Sequence, residues 1–163
     1  PMKNKSGEWH PMFDGWGLTD LTGKTTLNPV DLITDEPIEM TDWEIHDVGI
    51  QMVRNHLIEN GWEINSWQSD LEVDPSIIAQ KEDELHAFVV RNSNKGKEVG
   101  KRPENYKNIT LQMADRGIST KFVGLKVSAA DDRFDKRLEH LKRRIFRRSQ
   151  LLFSEINIEE LDP

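Results

Sequence analysis

Basic residues in this chain are concentrated in two runs whose charge suits an anionic ligand. Residues 133–148 carry eight Lys and Arg side chains against two acids, and residues 91–107 carry six against two. On a helix, the pairs Arg143-Arg144 and Arg147-Arg148 would form one cationic surface able to contact the phosphates of a nucleic acid. The alternative is that this basic run docks on acidic residues of its own chain or of another copy.

The overall charge argues against general binding of nucleic acid, because the 163-residue chain has a formal net charge of -7. Residues 1–48 hold ten acids against three lysines, so the acidic excess is concentrated at the start. The chain has no cysteine, which excludes disulfides, Cys-ligated zinc and a cysteine nucleophile. No apolar run approaches the ~18 residues of a membrane span, and no secretory signal is recognised. We therefore expect a soluble, cytoplasmic protein.

Other side chains capable of chemistry form weaker patterns. Asp42, His46 and Asp47 lie close together and could hold a metal, although the solvated start of a helix also accounts for them. His56, His86 and His140 stand alone and show no ligand spacing. There is no Gly-rich phosphate loop and no Gly-x-Ser-x-Gly nucleophile turn.

Elements that would position these residues follow from apolar periodicity. Helical spacing predicts a helix from Thr41 or Asp42 to Asn60-Gly61. Alternation predicts strands at 62–68 and at 71–78, the second bent by Pro75. The apolar run Leu85–Val90 predicts a central strand buried on both faces.

The second half continues the alternation of helices and strands. We predict a helix from Pro103 to about Arg116, a strand at 118–127, a basic amphipathic helix from Phe134 to Phe146, and a last strand at 151–158. Residues 1–40, rich in Gly, Pro and Trp, predict an irregular N-terminal arm. Residues 41–163 predict a single mixed α/β domain.

The order of elements around Glu72-Val73-Asp74 and Ala87-Phe88-Val89-Val90-Arg91 resembles a known superfamily. It is that of the restriction-endonuclease-like, or PD-(D/E)xK, nucleases, and the resemblance is closest to its Holliday-junction-resolvase-like branch, over residues 42–127. The resemblance implies a mixed β-sheet flanked by helices. It also implies two acids that hold Mg²⁺ beside a lysine that helps to activate water.

Carried over to this chain, the resemblance implies a degenerate site. Asp74 matches the metal-binding aspartate, Val89 falls at the second acid and Arg91 falls at the lysine. Asp47 could substitute for an acid that the branch carries on its first helix, near Ile50. Valine cannot ligate a metal, and arginine stays protonated and cannot act as a base. Asp74 could equally form a turn or pair with Arg91.

Three functions follow as expectations. The first is a nuclease-like domain that binds nucleic acid without efficient cleavage. The second is a non-enzymatic assembly protein that forms a homo-oligomer through residues 1–40, and the third is an active Mg²⁺-dependent nuclease whose acids have migrated. In the first, the phosphates would be contacted by Arg91, Lys95, Lys97, Lys101, Arg102, Arg143, Arg144, Arg147 and Arg148.

Overall fold

The computed structural model describes residues 36–132 and 135–162, together with four short strands nearer the N-terminus. The chain divides into two compact units, Pro1–Pro37 and Ile38–Pro163. In the first unit, strand β1 (Met2–Lys3) pairs with β2 (Trp9–His10), and β3 (Leu18–Thr19) pairs with β4 (Thr25–Leu27), both antiparallel. The arm predicted as irregular covers residues 1–40; its last five residues, 36–40, are irregular apart from an isolated bridge at Glu39, and its remaining residues lie outside the described ones.

Helix α1 (Asp42–Glu59) begins and ends where local sequence signals predict. Thr41 and Glu44 form a reciprocal capping box, in which the Glu44 N–H donates to Thr41 Oγ1 at 3.2 Å and the Thr41 N–H donates to Glu44 Oε2 at 2.8 Å. At the other end Gly61 has a φ of 80°, a left-handed conformation that glycine adopts without strain. The predicted first helix is confirmed.

The second unit is a mixed α/β domain built on a six-stranded sheet. Its strands are β5 (Glu63–Trp67), β6 (Ile77–Lys81), β7 (Glu84–Ser93), β8 (Ser119–Ala129), β9 (Leu151–Phe153) and β10 (Ile158–Leu161). The main order is β10-β8-β7-β6-β5, and β9 pairs with the end of β8. Strands β7 and β8 are parallel and the other pairs are antiparallel, so the predicted mixed sheet is confirmed.

Helices cover the two faces of the sheet. Helix α1 packs Ile50, Val53 and Leu57 onto one face, against residues that include Phe88 and Val90. Helix α2 (Tyr106–Ala114) packs Ile109 onto the other face, in a cluster with Val89, Phe122 and Leu161. Residues 87–90 are fully buried, which confirms that β7 is a central strand covered on both sides.

Two predicted strand boundaries are wrong. Strand β6 begins at Ile77, because residues 71–74 form turns and bends and Pro75 has no N–H to donate to a sheet ladder. The Asp74–Pro75 peptide is cis. At the other end of the domain, the single strand predicted at 151–158 is divided into β9 and β10 by irregular backbone at 154–157.

The basic amphipathic helix predicted from Phe134 to Phe146 is also wrong. Within residues 135–150 the structure has only a short 3-10 turn, Lys136–Leu138. Beyond it the backbone pairs with distant segments, Lys142 with Lys95 and Phe146 with Glu39. These tertiary hydrogen bonds replace the helical ones. Of the apolar residues with helical spacing, Ile145 is buried in the core, whereas Leu138 and Leu141 are exposed.

Candidate functional site

The C-terminal end of β7 extends beyond the core and forms one wall of a cleft of about 340 Å³. The start of α1 forms a second wall, and the loop after β7 closes a third side. The lining residues are Asp42, Ile45, His46, Leu71, Arg91, Asn92, Ser93, Asn94, Lys95, Glu98, Val99, Gly100, Lys101 and Lys142. Four of these side chains are cationic and two are carboxylates, so the lining is mainly basic.

Arg91 and Asp74 form a bidentate ion pair at this cleft. Arg91 Nη1 donates to Asp74 Oδ1 at 2.9 Å, and Nη2 donates to Oδ2 at 2.5 Å. Nη1 also donates to the Val90 carbonyl at 2.9 Å. The Arg91 and Asp74 side chains are only 21% and 9% exposed. The structure therefore contains the Asp74–Arg91 pair, which was one of the alternative roles considered for Asp74.

The positions considered for a second acid, Val89, Asp47 and Glu72, lie on different elements of the domain. Val89 is fully buried against α2, while Asp47 is half-buried on α1. Glu72 is exposed in a turn, where its N–H donates to Asp70 Oδ1 at 2.9 Å. Both carboxylate oxygens of Asp74 accept from Arg91, and no group of three or more His, Asp or Glu side chains in the described residues could hold a metal ion. The described residues therefore do not fit the Mg²⁺ that the resemblance implies.

Asn92 and His46 each carry a buried polar atom, and the sequence did not indicate that these two residues lie close together. Asn92 Nδ2 donates to the carbonyls of Ile45 and His46, at 2.9 and 3.3 Å, which directs its amide at the backbone of α1. Its Oδ1 is buried without a hydrogen-bond partner among the described residues, and so is Nε2 of His46, a residue only 2% exposed. Both residues line the cleft.

Burial also determines the charge of His46. Desolvation lowers the pKa of His46, the positive charge of Arg91 lowers it further, and Asp74 and Asp47 partly oppose the effect. The imidazole is therefore neutral at pH 7, with a proton on one of its two nitrogens.

Gly49 permits the close approach of Asn92 to α1. A Cβ at position 49 would lie 2.2 Å from Asn92 Nδ2, so any side chain there would displace the amide. No local signal identifies Asn92, because the carbonyls that it binds are 46 and 47 residues away in the chain.

The two basic runs, far apart in sequence, meet at this cleft. The Arg143 N–H donates to the Asn94 carbonyl at 2.8 Å, and Asn94 Nδ2 donates to the Arg143 carbonyl at 3.0 Å. Lys95 and Lys142 are paired as an isolated antiparallel bridge. Residues 94–95 and 142–143 therefore form one continuous piece of the surface.

Much of the second basic run is neutralised by acids around the start of α1. Lys142 pairs with Asp42 at 2.6 Å, Arg144 with Glu39 at 2.8 Å and Arg147 with Glu44 at 2.7 Å. Arg143 Nε lies 3.7 Å from Asp132, and Arg148 is exposed. The basic run therefore docks on acidic residues of its own chain, as the alternative to phosphate binding expects.

The loop after β7 is pressed against the sheet at two glycines. The Gly100 N–H donates to the Leu125 carbonyl at 3.0 Å. A Cβ at Gly100 would lie 1.9 Å from the Arg91 carbonyl oxygen, and one at Gly124 would lie 2.4 Å from the Gly100 carbonyl oxygen. Only glycine allows this contact, which holds the segment 95–102 in place.

The basic side chains of that loop differ in how well their charges are balanced. Arg102 pairs with Glu159 at 2.5 Å, and its guanidinium lies 6.0 Å from the Phe122 ring centre. Lys101 lies 3.6 Å from Glu98, and Lys97 is exposed. Lys95 has no ion pair within residues 36–132 and 135–162.

Fold and site together define an α/β protein with a helix-flanked mixed sheet and a mainly basic cleft at the end of its central strand. The chain belongs to the family described as Domain of unknown function (DUF8840), whose model matches residues 43–154. No curated protein and no solved structure matches the chain. In the described part of the chain, no helix has the length and apolar character needed to cross a membrane.

Proposed function

We propose that this protein is a nuclease-like domain that binds nucleic acid through its phosphates and does not cleave it efficiently. The observation that carries the proposal is the meeting of the two basic runs at one cleft, through the pairing of Lys95 with Lys142. A concave basic surface attracts a polyanion even when the net charge of the protein is negative.

The phosphate contacts are assigned mainly to the loop after β7. Lys95 has no competing ion pair in the described part of the chain, and the exposed Lys101–Glu98 pair at 3.6 Å is of a kind that contributes little. Lys142, Arg144 and Arg147 already have carboxylate partners. Their main role in this proposal is to dock the second basic run beside the loop.

The absence of efficient cleavage follows from the same geometry. Asp74 gives both carboxylate oxygens to Arg91, and Val89 lies in the core. Arg91 remains protonated and cannot accept a proton from water. No described carboxylate cluster replaces the missing pair, so the resemblance to nucleases is proposed to extend to the fold and to phosphate binding alone.

Fluorescence anisotropy with labelled single-stranded, duplex and branched nucleic acids tests the proposal. We expect affinity to fall linearly with the logarithm of the salt concentration. The double variant Lys95→Gln with Lys101→Gln should reduce that slope by about 1.4 to 1.8, because each lost phosphate contact contributes about 0.7 to 0.9.

The matched control is Lys107→Gln with Arg116→Gln, which removes two exposed cations that do not line the cleft. It should leave the slope unchanged. Equal weakening by both double variants, or binding that is insensitive to salt, would contradict the proposal. In the presence of Mg²⁺ or Mn²⁺, we expect no cleavage of the nucleic acid that depends on Asp74. Comparison of the original protein with Asp74→Ala tests this expectation.

A further inference from the structure

We propose that Ser119 and His86 form a second, catalytic site, in which Ser119 takes up the acyl group of a carboxylic ester and His86 acts as its general base. The site lies at the opposite end of β7 from the basic cleft, so it is separate from the proposed function. Its first support is a hydrogen bond, in which Ser119 Oγ lies 2.5 Å from His86 Nδ1. A serine hydroxyl bonded to a neutral imidazole is the pairing that nucleophilic catalysis by serine requires.

The register of the sheet brings the two side chains together. Strands β7 and β8 are parallel, and His86 pairs with Ser119, the first residue of β8. By strand alternation His86 shares a face with Phe88 and Val90, which pack under α1. The Trp62 ring meets the imidazole in a T-shaped contact, with the ring centres 4.9 Å apart. Strand register and the Trp62 ring therefore hold the imidazole beside the Ser119 hydroxyl.

Glu84 favours the tautomer of His86 that a general base needs. Its Oε2 lies 3.9 Å from His86 Nε2, whereas the Ser119 hydroxyl is bonded to Nδ1. A carboxylate near Nε2 favours a proton on that nitrogen, which leaves Nδ1 free to accept from Ser119 Oγ. The same negative charge stabilises the imidazolium that forms when Ser119 gives up its proton. Glu84 is therefore a positioning residue, and Ser119 and His86 are the catalytic ones.

The environment of His86 keeps the imidazole neutral at pH 7. Its side chain is only 12% exposed. Desolvation lowers the pKa of His86, the positive charge of Lys121 lowers it further, and Glu160 and Glu84 partly oppose the effect. A neutral imidazole can accept the Ser119 proton, which an imidazolium could not do.

The nucleophile is accessible, whereas the base lies behind it. Ser119 is exposed and lines a pocket of about 400 Å³ together with Asp83, Glu84, Leu85 and Gly117. A Cβ at Gly117 would meet nothing within 4 Å apart from its chain neighbours, so the space on that side of Ser119 is open. Because two carboxylates line the pocket, it favours an uncharged or cationic ester over an anionic one.

The proposed reaction is hydrolysis in two steps, with water as the co-reactant. Ser119 Oγ attacks the acyl carbon while its proton passes to His86 Nδ1, the bond between the acyl carbon and the alkoxy oxygen breaks, and the proton leaves with the alcohol. Water then gives a proton to His86 Nδ1 and attacks the acyl-serine. The carboxylic acid is released, and the proton returns to Ser119 Oγ.

The first experiment treats the full chain with p-nitrophenyl acetate and locates the acetyl group by peptide mass spectrometry. We expect acetylation at Ser119. His86→Gln, which cannot accept the serine proton, should slow this acetylation by about 100-fold or more. Mono-p-nitrophenyl succinate, which carries a carboxylate, should acylate Ser119 more slowly than the acetate does.

The matched controls remove a serine and a histidine elsewhere in the domain. Ser66 is exposed on β5 and His56 lies on α1. Neither Ser66→Ala nor His56→Gln should change the rate at Ser119. Acetylation of Ser119 no faster than that of Ser66, or an unchanged rate in His86→Gln, would overturn the inference.

A second measurement uses the unaltered protein, because His86→Gln also removes the contact with Trp62. Nitrogen NMR of the His86 ring at pH 7 should show the proton on Nε2. Glu84→Gln should reduce that preference without loss of stability, since the Glu84 side chain is 80% exposed. A His86 ring protonated at Nδ1, or at both nitrogens, would equally overturn the inference.

Discussion

Asp74→Asn separates the structural role of the Asp74–Arg91 pair from a catalytic one. The substitution keeps the shape of the side chain and one carbonyl oxygen, and it removes the negative charge. It therefore leaves the Arg91 guanidinium, which is 21% exposed, without its counter-ion. The two roles predict opposite effects on function, so one variant distinguishes them.

The expected loss of stability is about 2 kcal/mol. Removing one partner of a fully buried ion pair costs about 3 to 5 kcal/mol, and an exposed pair contributes about 0 to 1 kcal/mol. This pair lies nearer the buried limit, with Asp74 only 9% exposed, but Asn can still accept one of the two Arg91 hydrogen bonds. With a urea dependence of about 1 to 3 kcal/mol per molar, the unfolding midpoint should fall by about 1 M.

Binding should change in the opposite direction. The cleft gains one positive charge when Arg91 is released, and a single phosphate contact screened by water is worth about 1 kcal/mol at 4 Å. Nucleic acid should therefore bind about fivefold more tightly at low salt, with a salt slope steeper by about 0.7 to 0.9. If Asp74 instead held a catalytic metal, the variant would lose a Mg²⁺-dependent activity.

Urea unfolding and anisotropy at two salt concentrations measure both effects on the same samples. Asp70→Asn is the matched control, because it removes one acid from an exposed position in the same loop. A midpoint unchanged relative to that control would show that the Asp74–Arg91 pair is not formed in solution. Weaker binding by the variant would refute the assignment of Arg91 as a cation restrained by Asp74.

Two further predictions concern α1. Thr41→Ala should lower the free energy of unfolding by about 1 kcal/mol, because it removes the capping box. Thr41→Ser should retain most of the stabilisation by the capping box, and urea unfolding of the two variants measures the difference. The pKa of His46 is lowered in the folded chain, whereas in the unfolded chain it has its ordinary value near 6.5. As the pH falls, the His46 imidazole is therefore protonated in the unfolded chain before it is protonated in the folded chain. The free energy of unfolding should therefore be greatest above about pH 6.5 and should decrease as the pH falls below it. His46→Gln should reduce this pH dependence, measured as the urea midpoint at several pH values. A variant with the same pH dependence as the original protein would contradict a buried neutral His46.

The features that sequence predicted well depend on local interactions. The ends of α1 are encoded within four residues by Thr41 and Glu44, and at the other end by Gly61. Strand β7 was identifiable because a run buried on both faces must be continuously apolar. The Asp74–Arg91 pair was foreseen only as one of several alternatives, since charge complementarity does not reveal which of many acids lies nearby.

The features that sequence missed depend on contacts between distant parts of the chain. Ile145 and Phe146 have helical spacing relative to Leu138 and Leu141, yet the segment forms hydrogen bonds with residues 38–39 and 94–95. Asn92 looks like an ordinary polar residue at the end of a strand. Its importance arises from two carbonyls on α1 and from the missing side chain at Gly49, none of which a local pattern can indicate.

The contact of Gly100 with the sheet also bears on the entropy of binding. A loop that must become ordered around a ligand loses conformational freedom, and each immobilised long side chain adds about 0.5 to 1.5 kcal/mol to that cost. Because Gly100 and Gly124 hold the loop backbone against β7 and β8 before any ligand arrives, only the side-chain part of the cost remains. A few lysines can then suffice for useful affinity, and a larger residue at position 100 would weaken binding without altering a single ligand contact.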